Sequence, residues 1–222
     1  MVLVLWDIDG TLVDTAGHGR HAFEEAFKAV VGRPPKPVEY AGRTDHQIAL
    51  AMLGRQRDAL PRLLDRLAAA LEARKDAMRR EGHAYPGVAE TLAALEARDG
   101  VVQSLLTGNI EANAALKVGA FGLERWLDFE VGAYGSDPHE ERSELVAVAR
   151  ERVTAKYGEP TRAVLVGDTP HDVQAARAAG ARAVAVATGF ADREALVASR
   201  PDVLLEDLRD TEAAVEAIVG DG

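Results

Sequence analysis

The sequence predicts an α/β protein with a parallel β-sheet core, and three observations lead to this fold class. Five short runs are uniformly apolar and too short to be amphipathic helices, which is typical of buried parallel strands. Ala-rich stretches with helical spacing alternate with the later runs, which indicates βαβ units. A long segment after the first run shows helical spacing only. We therefore expect a sheet-forming core that is interrupted by an all-helical insertion.

The elements of the predicted core follow from these patterns. Its strands are expected at residues 2–6, 101–106, 163–166, 183–187 and 202–205. Its helices are expected at residues 111–117, 143–157 and 172–179, with Gly180 in a position typical of a helix C-cap. Open parallel sheets bind ligands beyond the carboxyl ends of their strands, so functional residues should lie at that edge.

The helical insertion is assigned to residues 15–85, and the core to residues 1–14 together with residues 86–222. Helices are predicted within the insertion at 18–31, 45–53 and 60–80, and no convincing strand is found there. Pro34, Pro35 and Pro37 mark a stiff connection, and Tyr85-Pro86-Gly87 marks the return to the sheet.

Composition excludes several classes of function. The 222 residues carry a net charge of -10, which disfavours binding to nucleic acid or to an anionic membrane surface. A small anionic substrate would therefore need a local cationic site. The absence of cysteine excludes disulfides, thiolate metal sites and cysteine nucleophiles. Neither a signal peptide nor a membrane span is recognisable, so a cytoplasmic location is expected.

The first predicted strand ends in Asp7-Ile8-Asp9-Gly10-Thr11. Two carboxylates this close are costly to bury unless they are compensated, and a bound divalent cation would compensate them. Carboxylate oxygens are ligands that Mg²⁺ prefers. A strand followed by a simple Asp-Gly turn would explain the same residues, so this motif alone leaves both interpretations open.

Two more strand ends carry polar side chains. Thr107-Gly108-Asn109 offers a hydroxyl and backbone N–H groups that can bind phosphate oxygens, although it also suits a helix N-cap. Gly167 precedes Asp168, and Asp172 follows four residues later. A helix cap would explain one of these carboxylates better than both. Because parallel strand ends converge, the three motifs together predict one site.

The order and spacing of these motifs resemble the haloacid dehalogenase-like superfamily of phosphohydrolases. Its signature is Asp-x-Asp-Gly-Thr, then Ser or Thr, then Lys or Arg, then Gly-Asp-x-x-x-Asp. The resemblance runs the length of the chain and implies a Rossmann-like core. The insertion looks like the small helical cap domain of phosphoglycolate phosphatases and β-phosphoglucomutases.

The resemblance implies a role for each matched residue. Asp7 would be the nucleophile that forms an aspartyl-phosphate, and Asp9 the general acid and base. Mg²⁺ would be held by Asp7, by the backbone carbonyl of Asp9 and by Asp168, with Asp172 in support. Residues expected to contact substrate are Gly10, Thr11, Thr107, Gly108 and Asn109.

The basic residue of the signature and the cap contacts are less well defined. Arg142 lies at the start of the helix before the strand that delivers Asp168 and is assigned the basic role, although it could also be an ordinary surface residue. His139 is a weaker alternative. In the cap, Arg43 could meet a substrate anion, whereas Thr44 suits both a substrate contact and a helix cap.

The resemblance implies a Mg²⁺-dependent phosphatase that acts on a small phosphorylated metabolite through an aspartyl-phosphate. No nucleic-acid or membrane partner is expected, and the protein is expected to be a monomer or homodimer. The second acid, Asp9, argues against the dehalogenase and phosphonate-cleaving branches. A phosphosugar mutase uses the same pair of acids and stays open, as does a binding or regulatory protein with little turnover.

Overall fold

A computed structural model describes residues 1–137 and 142–220 of the chain. The strands are β1 (Val2–Trp6), β2 (Val13–Asp14), β3 (His83–Ala84), β4 (Val101–Leu105), β5 (Arg162–Gly167), β6 (Arg182–Val186) and β7 (Val203–Leu205). The helices are α1 (His18–Val31), α2 (Asp45–Leu53), α3 (Leu60–Glu72), α4 (Lys75–Glu81), α5 (Val88–Glu96), α6 (Glu111–Ala120), α7 (Arg142–Tyr157), α8 (Pro170–Ala178), α9 (Arg193–Ser199) and α10 (Thr211–Val219). Short 3-10 helices lie at Arg57–Ala59, Glu124–Trp126 and Phe129–Val131.

Five strands form one parallel sheet in the order β4-β1-β5-β6-β7. β1 therefore has β4 on one side and β5 on the other, and the strand order reverses beside it. In open α/β sheets, ligands bind beyond the carboxyl ends of the strands at such a reversal. The fold thus places the ends of β1, β4 and β5 around a common edge.

The apolar residues of the strands alternate between two cores, one on each face of the sheet. Val4 and Trp6 face a core covered by α5, α6 and α10. Leu3 and Leu5 face the opposite core, which is covered by α7, α8 and α9. Burial on both faces explains why these strands read as continuous apolar runs and not as polar and apolar alternation.

The helices α1 to α4 form a separate apolar cluster between β2 and β3. Phe23 and Phe27 of α1 pack there with Ile48 of α2, Leu63 of α3 and Met78 of α4. The predicted α/β fold class with a helical insertion is confirmed. The exact limits of the insertion, residues 15–85, stay a prediction.

Two expectations for the insertion were wrong. The predicted helix 60–80 is two helices, because Ala73 and Arg74 interrupt it, and Arg74 pairs with Glu25 of α1 at 3.0 Å. The segment also contains a strand: β3 pairs antiparallel with β2. A two-residue strand is too short to show any periodicity, which is why the sequence pattern missed it.

The remaining differences in the core are small. β4 ends at Leu105, one residue before the predicted end, and Leu106 forms an isolated bridge with Ala133. Helices α5, α9 and α10 were not predicted. Among the described residues, no helix is both long enough and apolar enough to cross a bilayer.

Candidate active site

Three strand ends meet at one edge of the sheet and bring their polar residues together. Asp7 follows β1, and its backbone N–H donates to the Val166 carbonyl of β5 at 2.9 Å. Asp168 follows β5 and Asp172 lies in the first turn of α8. One carboxylate oxygen from each of these three aspartates lies within 4.8 Å of the others, and all three are buried.

The turn after Asp9 is shaped by its contact with Asp168. Gly10 has a φ of 90°, and a Cβ atom at this position would collide with the Asp168 carboxylate. The Thr11 hydroxyl donates to Asp168 Oδ1 at 3.2 Å, and the Phe190 N–H donates to Oδ2 at 2.7 Å. In this structure, Thr11 thus contacts a carboxylate of the cluster, and Gly10 allows the close approach.

Asp172 has two structural partners. It accepts hydrogen bonds at Oδ2 from the Thr169 hydroxyl at 2.6 Å and the Thr169 N–H at 3.1 Å, which forms a capping box at the start of α8. Its other oxygen, Oδ1, lies 2.6 Å from the Arg142 guanidinium. Asp172 therefore takes part in the capping box of α8 and also belongs to the carboxylate cluster.

Arg142 opens α7 and reaches into the carboxylate cluster. One of its terminal nitrogens lies 2.7 Å from Asp7 Oδ1 as well as 2.6 Å from Asp172, and only 11% of the side chain is exposed. A guanidinium can pair with carboxylate and with phosphate oxygens alike, so Arg142 offsets the charge of the cluster and can also meet an anionic ligand. His139, the weaker alternative, lies outside the described residues.

Crowding and burial change the protonation of the cluster. Burial, assisted by the Asp172 and Asp9 carboxylates, raises the pKa of Asp7 to about 7, although Arg142 opposes the shift. Burial and the Asp7 and Asp172 carboxylates raise the pKa of Asp168 to about 8. A bound cation would relieve this repulsion, and a set of hard oxygen ligands fits a divalent ion such as Mg²⁺.

The segment after β4 turns its polar groups toward Asp9. The Thr107 hydroxyl is buried and accepts hydrogen bonds from Asn109, from Nδ2 at 2.8 Å and from the backbone N–H at 3.3 Å. Asn109 Nδ2 also donates to Asp9 Oδ2 at 2.8 Å. Thr107, Gly108 and Asn109 all line the same cavity as Asp7 and Asp9.

Lys117 of α6 is a site residue that the sequence analysis missed. Its ammonium group lies 2.8 and 2.6 Å from the two carboxylate oxygens of Asp9. A signal was present: Asn113 and Lys117 are spaced four residues apart, so they lie on one face of the Ala-rich helix α6. A polar stripe on such a helix indicates a buried polar contact.

The helical insertion touches the core at this same site. The Asp45 N–H donates to the Gly108 carbonyl at 2.7 Å, and Asp45 Oδ2 accepts from the Ile110 N–H, near the start of α6, at 2.8 Å. His46 Nδ1 also lies 2.9 Å from the Gly135 carbonyl. Burial raises the pKa of Asp45 to about 6, although Lys117 opposes the shift. Asp45 was not predicted, because its position depends on how the insertion docks.

The two cap residues selected from the sequence have defined contacts. Thr44 caps α2: its hydroxyl accepts from the Gln47 N–H at 3.2 Å, and the Gln47 side chain accepts from the Thr44 N–H at 3.1 Å. Arg43 lies 3.7 Å from Glu39, with 41% of its side chain exposed. Arg43 lines the cavity, so it can meet a ligand there.

A cavity of about 600 Å³ lies between the sheet edge and the insertion. The core contributes the polar groups described above, and the insertion contributes Phe23, Tyr40, Ile48, Leu67 and Leu71. A cleft with one polar end and one apolar wall is typical of a small-molecule site.

Known proteins resemble this chain over nearly its whole length. A phosphoglycolate phosphatase from Synechococcus elongatus is 32% identical over 99% of both chains. A probable phosphatase, IndB, from Dickeya dadantii is 29% identical over 98% of this chain and 94% of its own.

Among solved structures, a hydrolase from Pseudomonas syringae superposes with a TM-score of 0.71 at 21% identity, covering 99% of this chain and all of the other. A putative β-phosphoglucomutase from Thermotoga maritima superposes with a TM-score of 0.63 at 19% identity, with the same coverage. At these identities the likeness concerns the fold alone. Residues 1–180 match the haloacid dehalogenase-like hydrolase family, and the chain belongs to this family.

Proposed function

We propose that the protein is a Mg²⁺-dependent phosphatase that hydrolyses the phosphate monoester of a small metabolite through an aspartyl-phosphate on Asp7. The observation that carries the proposal is the buried cluster of Asp7, Asp168 and Asp172 with Arg142 at the polar end of a cavity. The phosphatase names of the relatives support the same reaction class.

Asp7 is assigned the nucleophile. One of its carboxylate oxygens would attack phosphorus, the bond between phosphorus and the ester oxygen would break, and its electron pair would stay on the leaving oxygen. Arg142, which lies 2.7 Å from Asp7, would hold the negative charge of the phosphoryl group. Thr107 and the N–H groups of Gly108 and Asn109 would contact the non-bridging oxygens. Such covalent catalysis divides one difficult displacement into two easier ones.

Asp9 is assigned the proton transfers. Its carboxyl group would give a proton to the leaving oxygen and later take one from the water that hydrolyses the aspartyl-phosphate. The protons balance over the two steps, since Asp9 ends as it began. Its side chain, 27% exposed, lines the cavity and lies outside the carboxylate cluster.

Asp7, Asp168 and Asp172 are the residues that would hold Mg²⁺, with the Asp9 backbone carbonyl as a further ligand. Their fit rests on the carboxylate oxygens, one from each residue, which lie within 4.8 Å of one another. Burial, together with repulsion among these acids, raises the pKa values of Asp7 and Asp168, and a cation would offset both effects. When bound, the cation would supply charge neutralisation between the nucleophile and the phosphoryl oxygens.

Residues 15–85 are proposed to act as a cap on a core formed by residues 1–14 and 86–222. The pairing of β2 with β3 joins the two chain crossings between these units and would form the hinge. Arg43 and Thr44 would approach the substrate from the cap, while Gly10 and Thr11 would shape the core side. Closing the cap would exclude bulk water from the transfer.

The proposal is tested by a phosphate-release screen over phosphoglycolate, sugar phosphates, nucleotides and pyrophosphate, with and without Mg²⁺. We expect Mg²⁺-dependent phosphate release from at least one monoester and none from the Asp7→Asn variant. An isomerised sugar phosphate without free phosphate would identify a mutase, and binding without turnover would identify a regulatory protein. Either result would refute the proposed phosphatase activity.

A further inference from the structure

The ammonium group of Lys117 lies inside the candidate active site, where it contacts two polar side chains. It contacts Asp9 Oδ1 at 2.8 Å, Asp9 Oδ2 at 2.6 Å and Asn109 Oδ1 at 2.7 Å. A lysine ammonium has three donors, so these three contacts use all of them. Only 6% of the side chain is exposed.

Stability alone does not explain a buried lysine at this position. Taking an ammonium group and a carboxylate out of water carries a desolvation cost that their attraction often fails to repay, and an apolar pair of similar size serves as well or better. Lys117 lies one helical turn after the buried Asn113, and both side chains line the cavity and do not enter the apolar core. This placement indicates that the charge serves the site.

The contacts of Lys117 define the orientation of Asp9. The ammonium group bridges both carboxylate oxygens, and Asn109 Nδ2 donates to Oδ2 from a second direction at 2.8 Å. Three contacts to one carboxylate fix its rotation about the Cβ–Cγ bond as well as its rotamer. Asn109 is in turn held by Lys117, so the three side chains form one closed network.

We propose that Lys117 is a positioning residue that aligns the Asp9 carboxyl group with the leaving-group oxygen of the substrate. When Asp9 carries the proton that it transfers, one of its oxygens accepts from Lys117, and the other, protonated oxygen donates to the leaving group. The inference rests on the proposed function, because it assigns Asp9 the proton transfer. Lys117 acts through Asp9 and takes no part in bond making at phosphorus. Small errors in the placement of a reacting group are costly: a displacement of about 1 Å can reduce a rate about 100-fold.

A comparison of two leaving groups distinguishes a positioning role of Lys117 from a purely structural one. An aryl phosphate such as p-nitrophenyl phosphate releases a stable anion that hardly needs a proton, whereas an alkyl phosphate releases a strongly basic alkoxide. General acid catalysis therefore matters mainly for the alkyl ester, where it contributes about 100-fold or more. A defect in Asp9 alignment should slow the alkyl ester selectively, while a general defect in folding or phosphate binding should slow both.

The test compares Lys117→Met with the wild-type protein in kcat/KM, which reports phosphoryl transfer to Asp7. The substrates are p-nitrophenyl phosphate and the alkyl phosphate that the wild-type protein hydrolyses fastest in the screen above. We expect a loss of about 100-fold for the alkyl ester and of less than about 10-fold for the aryl ester. Equal losses for the two esters, or no loss for either, would overturn the inference.

The matched control is Lys156→Met, which removes a lysine that is also held by two carboxylates, Asp128 and Glu130, each at 2.7 Å. Both kcat/KM values should stay at the wild-type level in this variant. If Lys117→Met does not fold, as judged by circular dichroism, Lys117→Gln keeps a donor for Asp9 and should show a smaller loss with the same preference. Equal losses in Lys117→Gln would count against the inference. A wild-type protein that hydrolyses neither ester would instead refute the proposed function.

Discussion

At the scale of single residues, the site depends on how negative charge is balanced among Asp7, Asp168 and Asp172. Arg142 is the cation closest to this cluster in the described part of the chain, with contacts of 2.7 and 2.6 Å to two of its carboxylates. We therefore propose two roles for Arg142: it offsets the negative charge of the acids without substrate, and it would hold the phosphoryl group when substrate binds.

Replacing Arg142 with alanine should reduce phosphate release about 100-fold, because a preorganised electrostatic contact of this type contributes about 3 kcal/mol to the transition state. Arg142→Lys should recover part of the loss, since lysine keeps the positive charge but lacks the planar guanidinium, which can donate two parallel hydrogen bonds. The measurement is steady-state phosphate release. Arg193→Ala, which removes an exposed arginine paired with Glu206 at 2.7 Å, is the control and should keep the wild-type rate. A normal rate in Arg142→Ala would show that Arg142 is not the basic catalytic residue.

The raised pKa values of Asp7, about 7, and Asp168, about 8, predict how the protein responds to pH. Both exceed the value of about 4 expected in the unfolded chain, so the folded state binds protons more tightly. The tighter proton binding stabilises the metal-free folded state most below about pH 4. This stabilisation decreases as the pH rises and is lost above about pH 8. Stabilisation by bound Mg²⁺ increases with pH instead, because the metal binds the ionised carboxylates.

We therefore expect Mg²⁺ to raise the Tm by more at about pH 8.5 than at about pH 6. Differential scanning fluorimetry with and without Mg²⁺ measures this difference directly and requires no turnover. The Asp168→Asn variant should lose most of the Mg²⁺ effect at the higher pH. An equal Tm shift at both pH values would contradict metal binding by these carboxylates.

The residues at the strand ends were predicted from the sequence, whereas Lys117 and Asp45 were not. Asp7, Thr107 and Asp168 follow parallel strands, and the geometry of a parallel sheet brings such positions together whatever the rest of the chain does. Lys117 reaches Asp9 only through the orientation of α6. Asp45 reaches α6 only because the insertion docks on the core, and no local pattern encodes such a contact.

At the scale of elements, the insertion contacts the core at the segment between β4 and α6, beside the site. Gly108 is central to it, because a Cβ atom there would lie 2.6 Å from the Arg43 carbonyl oxygen and 2.9 Å from the Thr44 Cα atom. Backbone from the insertion thus approaches the core where phosphate oxygens are expected to bind. A side chain at Gly108 would displace the segment that holds Arg43, Thr44 and Asp45.

Gly108→Ala should reduce kcat/KM by about 10-fold or more, because the cap segment can no longer approach the core closely. Gly119→Ala on α6 is the matched control, since a Cβ atom there meets nothing within 4 Å. That variant should keep its activity and gain up to about 1 kcal/mol in the free energy of unfolding, as expected for alanine within a helix. The two variants are compared by phosphate release and thermal unfolding. Unchanged kcat/KM in Gly108→Ala would show that close docking is unnecessary.

The strands of the core were more predictable than its helices, of which α5, α9 and α10 were missed, or than the break between α3 and α4 in the insertion. Strands buried on both faces produce continuous apolar runs, so β1, β4, β5, β6 and β7 were all located. In the insertion, Ala73 and Arg74 are compatible with a helix in their residue types, and the break between α3 and α4 depends on packing against α1. The periodicity of the sequence therefore joined two helices into one.

At the scale of the whole molecule, catalysis would require two units to enclose one cavity. The core supplies the charged groups, and the insertion supplies an apolar wall and the docking contacts of Asp45. β2, which pairs with β3, follows the Asp7 to Thr11 segment closely in the chain. Motion of the insertion would therefore be coupled through these two strands to the segment that carries Asp9.

The account depends most on Asp7 as the acceptor of the phosphoryl group. Acid quenching of the protein during turnover of p-nitrophenyl phosphate, followed by proteolysis and mass spectrometry, tests this directly. We expect one phosphorylated peptide with the phosphate on Asp7, and no such peptide from Asp7→Asn. Phosphate on another residue, or sustained Mg²⁺-dependent turnover by Asp7→Asn, would contradict the mechanism.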